Sequence, residues 1–389
     1  MMSRCPHCSS ATSRYHCRRE ARRRDMPTPA RVVVCPQGPG PLRIEDVELP
    51  DPGPHQVVVK QLASGVCHSQ LHQMHGPRER QQLLGHESTG VVLAAGSEVS
   101  HVREGDRVMV TWVVREPEAS RLPEMASLTL GDGSVAYSQN TFTWADHTVA
   151  DEQFVVLLPD DAPTDVTAII GCAVMTGAGA VYHTAGVKRG ESVAVFGVGG
   201  VGLSAIAAAA VVGADPIIAV DLSEEKLDFA KRFGATIGVN ASEVDPVARI
   251  HELTPRPDQL RLNNEPVTGV DYAFDCIGVR QTMEQIMPAV RGGVIGRSTG
   301  GTAVLVGVPQ TPVELDARDM LIAEKKYIGS IGGSCRPDRD FPMFLRWYHE
   351  GELDLDALVT ARYPLDAISE ATDALEAGEI SGRSILELD

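Results

Sequence analysis

Short apolar runs bounded by Pro- and Gly-rich turns mark the first legible stretch of the chain. Arg31–Cys35 and Gln56–Leu62 are expected to be strands, and Gly90–Ala94 and Arg107–Trp112 read the same way. Gly96 and the pair Gly105-Asp106 are turn signals between them. The pattern predicts a β-rich unit of short strands joined by loops. From about Val174 the pattern changes. Ser192–Phe196 is a short apolar block, followed by a glycine loop and an Ala-rich helix through Leu203–Val212 that is apolar enough to pack on a sheet. Ile217–Val220 is the next strand and ends at Asp221, and Ser223 is the expected N-cap of a helix that starts Glu224-Glu225-Lys226. Val270–Phe274, Ala303–Val306 and Tyr327–Ile331 supply further strands. Strands alternating with helices predict an α/β fold with a parallel, doubly wound sheet. After Gly332-Gly333 come amphipathic helices near Phe341–Glu350 and Leu365–Leu375, and a last strand at Ser384–Leu388 that is expected to return to the first unit.

The 389 residues are too many for one compact core and predict about two domains. A formal charge of −17 argues against partners that are nucleic acids or anionic membranes. No run of about 18 apolar residues is present, so no transmembrane helix is expected. Residues 1–25 lack the apolar core of a signal peptide, and the expected compartment is the cytoplasm. That Arg-rich segment reads as a disordered extension ahead of Met26, and its Cys5, Cys8, His16 and Cys17 fit no common zinc finger. Eight cysteines scattered over so long a chain are ligands or core residues, not a disulfide scaffold.

Two constellations carry chemistry. In Gly197-Val198-Gly199-Gly200-Val201-Gly202 the first glycine permits a tight turn, the second lets a pyrophosphate approach the backbone, and Gly202 lets helix and strand pack closely. Asp221, about 20 residues on, is placed to bind the ribose hydroxyls of NAD and to repel the extra phosphate of NADP. The second constellation is Cys67, His86-Glu87 and Cys172, each where the chain changes direction. Each cysteine or histidine alone reads as a core residue. Together, two thiolates and an imidazole can hold Zn²⁺ and leave a fourth position open.

Residues 30–389 resemble the zinc-dependent medium-chain alcohol dehydrogenases. The resemblance rests on Gly65-Val66-Cys67-His68-Ser69, Gly85-His86-Glu87, Gly171–Gly177, the Gly197–Gly202 loop with Asp221, and Gly382-Arg383-Ser384-Ile385-Leu386. Cys₂His is a catalytic zinc ligand set of that family. The resemblance implies a Rossmann domain at 174–330 and a β-rich GroES-like catalytic domain at 26–173 and 331–389, with the cleft between them holding NAD and one catalytic zinc. It implies Cys67, His86 and Cys172 as zinc ligands, with Glu87 close to the metal. Ser69 is implied as the hydroxyl that takes the substrate proton, and His72 as the histidine that passes it on. His68 and Arg383 match contacts to the pyrophosphate, Lys226 a contact to the adenosine ribose, and Thr176 a residue beside the nicotinamide. Trp112 falls where the family lines its substrate pocket.

Two departures stand out. No cysteine lies between Cys67 and Cys172, so the family's four-cysteine structural zinc is absent and the lobe at 113–140 must be held another way. Gln70 replaces an acidic residue that orients the zinc histidine, so a weaker acceptor is expected there. The expected activity is hydride transfer between a primary or aryl alcohol, or its aldehyde, and NAD. Alternatives are oxidation of a thiol adduct of formaldehyde, and a dehydrogenase whose tightly held NAD needs an external electron acceptor, the latter motivated by an insertion at Arg291–Gly301. A non-catalytic cofactor-binding protein is the reading from another class. A homo-oligomer, dimer or tetramer, is expected to join its parallel sheets near Ala303–Val308.

Overall fold

The computed structural model describes residues 28–116, 120–260 and 264–388. The expectations for residues 1–25 lie outside them. Six strands form one parallel sheet in the order Ile237–Asn240, Ile217–Asp221, Val193–Phe196, Tyr272–Asp275, Thr302–Leu305 and Lys326–Gly329. The chain starts in the middle, at Val193–Phe196, works outward to one side, then crosses to the other. The strand order therefore reverses between Val193–Phe196 and Tyr272–Asp275, which opens a crevice at their C-terminal ends. Val193–Phe196 is buried along its whole length because helices cover both faces of the sheet. The helix Gly200–Val212 has no polar face through its first ten residues, nine of which are buried, because the helix Ala173–Gly179 packs against it. Full burial of Leu203 and Ile206 stabilises this layer by about 1.5–3 kcal/mol each. Ser223 caps the next helix as expected, accepting from the Lys226 amide.

The β-rich part has two sheets. The larger runs Val155–Leu157, Arg107–Val110, Ser88–Ala95, Gln56–Val66, Arg383–Glu387 and Val359–Pro364, with His147–Asp151 also paired to Gln56–Val66. The closing strand pairs antiparallel with Ala63–Val66, so the chain end does return to the first sheet. The smaller sheet joins Arg43–Leu49, Thr28–Cys35, Gln82–Leu83, Val135–Tyr137 and Ser127–Thr129. The cysteine-free lobe is tied down by Arg121, whose guanidinium donates to both oxygens of buried Asp151 at 2.5 and 2.9 Å. One hydrophobic cluster connects Met109, Val156 and Ile385 of the larger sheet to Val174, Leu203 and Phe344, so the crevice has firm walls on both sides.

Three expectations are corrected here. The strand at Ala303–Val306 is interior, flanked by Lys326–Gly329, which is the true edge. Its apolar run reflects burial within the sheet, not an exposed joining edge. The Arg291–Gly301 segment lies at the N-terminal end of the parallel strands, where Arg291 holds Asp271 at 2.6 Å and the Thr299 carbonyl at 2.6 Å. The glycine loop is at the opposite end, so this segment is remote from the cofactor crevice. The expected strand Tyr327–Ile331 also stops at Gly329, and Ile331 instead lines the crevice, 77% exposed. Among the described residues, no helix is long and apolar enough to cross a membrane.

Candidate active site

Cys67 ends the strand Gln56–Val66 and opens a helix, His68–His75, that the sequence pattern did not signal. His86 follows Gly85, which has φ +90°, a left-handed turn that any side chain would strain and that a Cβ would drive into Trp144. Glu87 leads into Ser88–Ala95, and Cys172 sits at the junction of the turn Val166–Gly171 and the helix Ala173–Gly179. These distant segments meet. The ligand atoms of Cys67, His86, Glu87 and Cys172 all lie within 4.8 Å of one another. The two sulfurs are 3.8 Å apart. Two sulfurs each about 2.3 Å from one tetrahedral zinc are separated by about 3.8 Å. The Nε2 of His86 and one oxygen of Glu87 are shut away from solvent without a hydrogen bond of acceptable geometry. Buried polar atoms are rarely left so, and an orphaned imidazole nitrogen beside two sulfurs fits a soft divalent cation.

The electrostatics agree with a centre that attracts positive charge. A hydrogen bond from the Cys172 thiol holds Cys67 well below the ordinary thiol value, with Arg383 and His86 adding to it, while the same bond and burial push Cys172 up. Burial pulls the His86 imidazole down, but the Cys67 sulfur beside it outweighs this and the net direction is up. Burial lifts the Glu87 carboxyl to about 7 even though the Arg383 guanidinium opposes it. Arg383 and Glu87 form a buried ion pair. The stem of Arg383 lies over Gly200, so this residue links the glycine loop to the cysteine–histidine cluster.

A cavity of about 610 Å³ runs from the cluster to the end of the parallel sheet. It is lined by Cys67, His68, Ser69, His72, His86, Cys172, Thr176, Gly197, Gly199, Gly200, Val201, Asp221, Lys226 and Arg383, so all but two of the expected site residues share one cleft. Glu87 and Gly202 stand behind its wall; Gly202 packs on the Gly197 carbonyl, where a Cβ has no room. Gly199 faces open space, and Asp221 is held in place by amides of Val198 at 3.0 Å and Leu222 at 2.8 Å. The Ser69 hydroxyl donates to Cys67 Sγ at 3.3 Å, and the His72 ring meets His68 edge-on at 5.4 Å. The Trp112 ring stands 6.3 Å from that of His86.

Gln70 is placed differently from expectation. Its side-chain oxygen accepts from the Gly85 amide and its nitrogen donates to Gln73 at 2.8 Å, so it steadies the turn that carries His86 through the backbone. Sequence reasoning also missed Cys276 and Ile277, which line the cleft just after Tyr272–Asp275, and the run Gln139-Asn140-Thr141. The position of Cys276 after a strand at the switch point was a usable signal; Gln139–Thr141 lies in a loop with none.

The zinc-binding dehydrogenase family model matches residues 200–350, and the alcohol dehydrogenase GroES-like domain model matches residues 53–160. The chain is 33% identical over 388 residues to an alcohol dehydrogenase class-3 of Cereibacter sphaeroides, covering 92% of this chain and 99% of that one. It is 31% identical over 387 residues to an S-(hydroxymethyl)glutathione dehydrogenase of Paracoccus denitrificans, with the same coverage of 92% and 99%. Among solved structures, benzyl alcohol dehydrogenase of Acinetobacter calcoaceticus superposes with a TM-score of 0.81 at 28% identity, covering 93% of this chain and 100% of that one. With an orphaned imidazole nitrogen beside two sulfurs, a doubly wound sheet presenting a glycine loop to the same cleft, and relatives matched over almost their full length, the chain belongs to the zinc-dependent medium-chain alcohol dehydrogenases.

Proposed function

We propose that Cys67, His86 and Cys172 hold one catalytic Zn²⁺, and that the enzyme transfers hydride between an alcohol and NAD in the cleft they share with the glycine loop. The observation that carries this reading is the 3.8 Å sulfur pair facing an unpartnered His86 Nε2. When bound, Zn²⁺ acidifies an alcohol hydroxyl so that it ionises near neutral pH, and the nicotinamide accepts the hydride. Ser69 takes the alcohol proton, because a hydroxyl can accept and donate in one step. His72, in the same cleft, passes it outward, since an imidazole ring can accept a proton at one nitrogen and donate one from the other. Arg383 pairs with one oxygen of Glu87 and leaves the other unpartnered beside the ligand set, where it could approach the metal transiently. Gly197, Gly199, Gly200, Val201 and Gly202 cradle the pyrophosphate with help from His68 and Arg383, while Thr176 faces the nicotinamide and Lys226 the adenosine ribose. Asp221 selects NAD over NADP by repelling the additional phosphate.

In this reading the catalytic unit comprises 26–173 and 331–389 and the cofactor unit 174–330. Two copies are expected to join through the free edge Lys326–Gly329, flanked by the exposed Leu321 and Ile322. Five cysteines without disulfides among the described residues are consistent with a reducing cytoplasm. The externally recycled cofactor loses its motivation, because Arg291–Gly301 lies at the far end of the sheet. The test is metal analysis of purified protein with a screen of alcohols and S-hydroxymethylglutathione against NAD and NADP. One zinc per chain and reduction of added NAD are expected. Zinc-free protein that is inert towards every alcohol overturns the proposal.

A further inference from the structure

The helix His68–His75 carries a face of histidines. Positions i, i+4 and i+7 of a helix lie on one side, and His68, His72 and His75 occupy them, while Gln70 and Leu71 are buried against the protein. His68 and His72 line the cleft, and their ring centroids are 5.4 Å apart. Two imidazoles bound through nitrogen at about 2.1 Å to one tetrahedral ion have centroids about 5.2 Å apart. The ring planes cross at 68°, and rotation about the soft Cβ–Cγ torsion turns a nitrogen of each towards a shared point. A carboxylate stands beside them. Glu376, at the end of the helix Ile368–Glu376, lines the same cleft and acts electrostatically on His68. Its Oε1 meets His75 Nε2 at 3.3 Å, which steers the carboxylate onto the histidine face, and both side chains stay more than half exposed. The opposing charge felt by His68 is Arg383, whose guanidinium is already paired with Glu87.

We propose that His68 and His72, with Glu376, form a second site for a borderline divalent cation such as Zn²⁺ at the mouth of the cleft, apart from the cysteine–histidine cluster, and that an ion held there stops turnover. Two imidazoles and a carboxylate suit Zn²⁺, Ni²⁺ or Cu²⁺ and not Mg²⁺, which prefers oxygen ligands alone. The set has no thiolate and is open to water, so it binds more weakly than Cys67, His86 and Cys172 and fills only when free metal is in excess. An imidazole with one nitrogen on a metal can no longer accept a proton at one side and donate from the other, so the ion takes His72 out of the proton path. Binding of the ion stands on the geometry alone, whereas its effect on turnover rests on the function proposed above, through the role of His72.

The test titrates protein already carrying one zinc per chain with further Zn²⁺, followed by calorimetry and by alcohol oxidation. One more ion per chain is expected, with a Kd below about 0.1 mM. Over the same range kcat should fall, and saturating NAD should not restore it; Mg²⁺ should do neither. His72→Gln should weaken the second ion about a hundredfold in calorimetry, and Glu376→Gln about tenfold. Glu376→Gln should also keep its activity without added metal and need about ten times more Zn²⁺ for the same inhibition. No second ion in that range, an equal response to Mg²⁺, or a second ion that neither substitution weakens overturns the proposal. Failure of the catalytic reading looks different. No alcohol would then be oxidised, while the calorimetric signal would still depend on His72 and Glu376.

Discussion

The molecule contains two clusters that look alike on paper. Cys67, His86, Glu87 and Cys172 form one, and His183, Cys335 and Asp340 form the other; in each, the potential ligand atoms lie within 4.8 Å of one another. Their hydrogen bonding separates them. Asp340 accepts from the Arg336 amide at 2.7 Å, from Arg339 at 2.6 and 2.9 Å, and has His183 at 3.1 Å. Cys335 donates to the Met175 carbonyl at 3.3 Å, and burial pushes its thiol up, so it stays protonated. Every group there already has a partner, and a metal would have to expel Arg339. In the first cluster His86 Nε2 and one Glu87 oxygen have none. Convergence of soft donors is therefore not enough to mark a metal site; what marks it is convergence that leaves donors unsatisfied. The second cluster is a polar clasp, joining the helical turn Ala180–Ala185 to the segment Gly332–Asp340.

The sharpest way to break this contrast is to remove one sulfur from each cluster. Cys172→Ala is expected to lose its zinc and at least about a thousandfold in kcat/KM, because several kcal/mol of charge stabilisation disappear. Cys335→Ser should keep one zinc per chain and activity within about twofold of wild type. Zinc retained in the first variant, or lost in the second, reverses the assignment. A smaller effect tests how His86 is held. Gln70→Leu leaves the Gly85 amide without its acceptor, and zinc affinity measured by chelator competition should fall about tenfold. An unchanged affinity would show that the turn holds its shape without Gln70.

The smallest effect concerns the clasp. Asp340→Asn should cost about 2 kcal/mol in denaturant unfolding while zinc content stays the same, since charged hydrogen bonds are lost but half-exposed Arg339 regains water. Burial would raise the Asp340 carboxyl, but His183 and Arg339 outweigh it and hold it well below the ordinary range. Folded protein thus binds fewer protons at this site than unfolded protein. Its contribution is full above about pH 4 and fades as pH falls further. The stability gap between wild type and Asp340→Asn should accordingly shrink in acid, and a gap that widens there contradicts the clasp.

Local signals were strongest where one residue type has one geometric use. The Gly197–Gly202 loop, Asp221 and the Ser223 cap could be read because each depends on a few neighbours in the chain. Strands flanked by turns were legible for the same reason. Short pieces such as Gln82–Leu83 and Val135–Tyr137 were not, because two or three residues carry no periodicity and exist only through pairing. The edge of the parallel sheet was misjudged because an interior strand and a covered edge have the same apolar run. The Arg121–Asp151 tie could not be foreseen either, since nothing in a lone arginine names its carboxylate partner.

The sequence by itself determined the chemical inventory: which sulfurs, rings and carboxylates exist, and which stand at a strand end or a glycine turn. It also determined the switch from β-rich to alternating grammar near Val174. Only the tertiary structure decided which of those groups go unpartnered, that Gln70 accepts from the Gly85 amide, and that Arg383 pairs with Glu87. The physical reason is that hydrogen-bond satisfaction depends on neighbours brought from far along the chain, Glu87 and Arg383 being 296 residues apart, whereas turn and cap preferences are settled within a few residues.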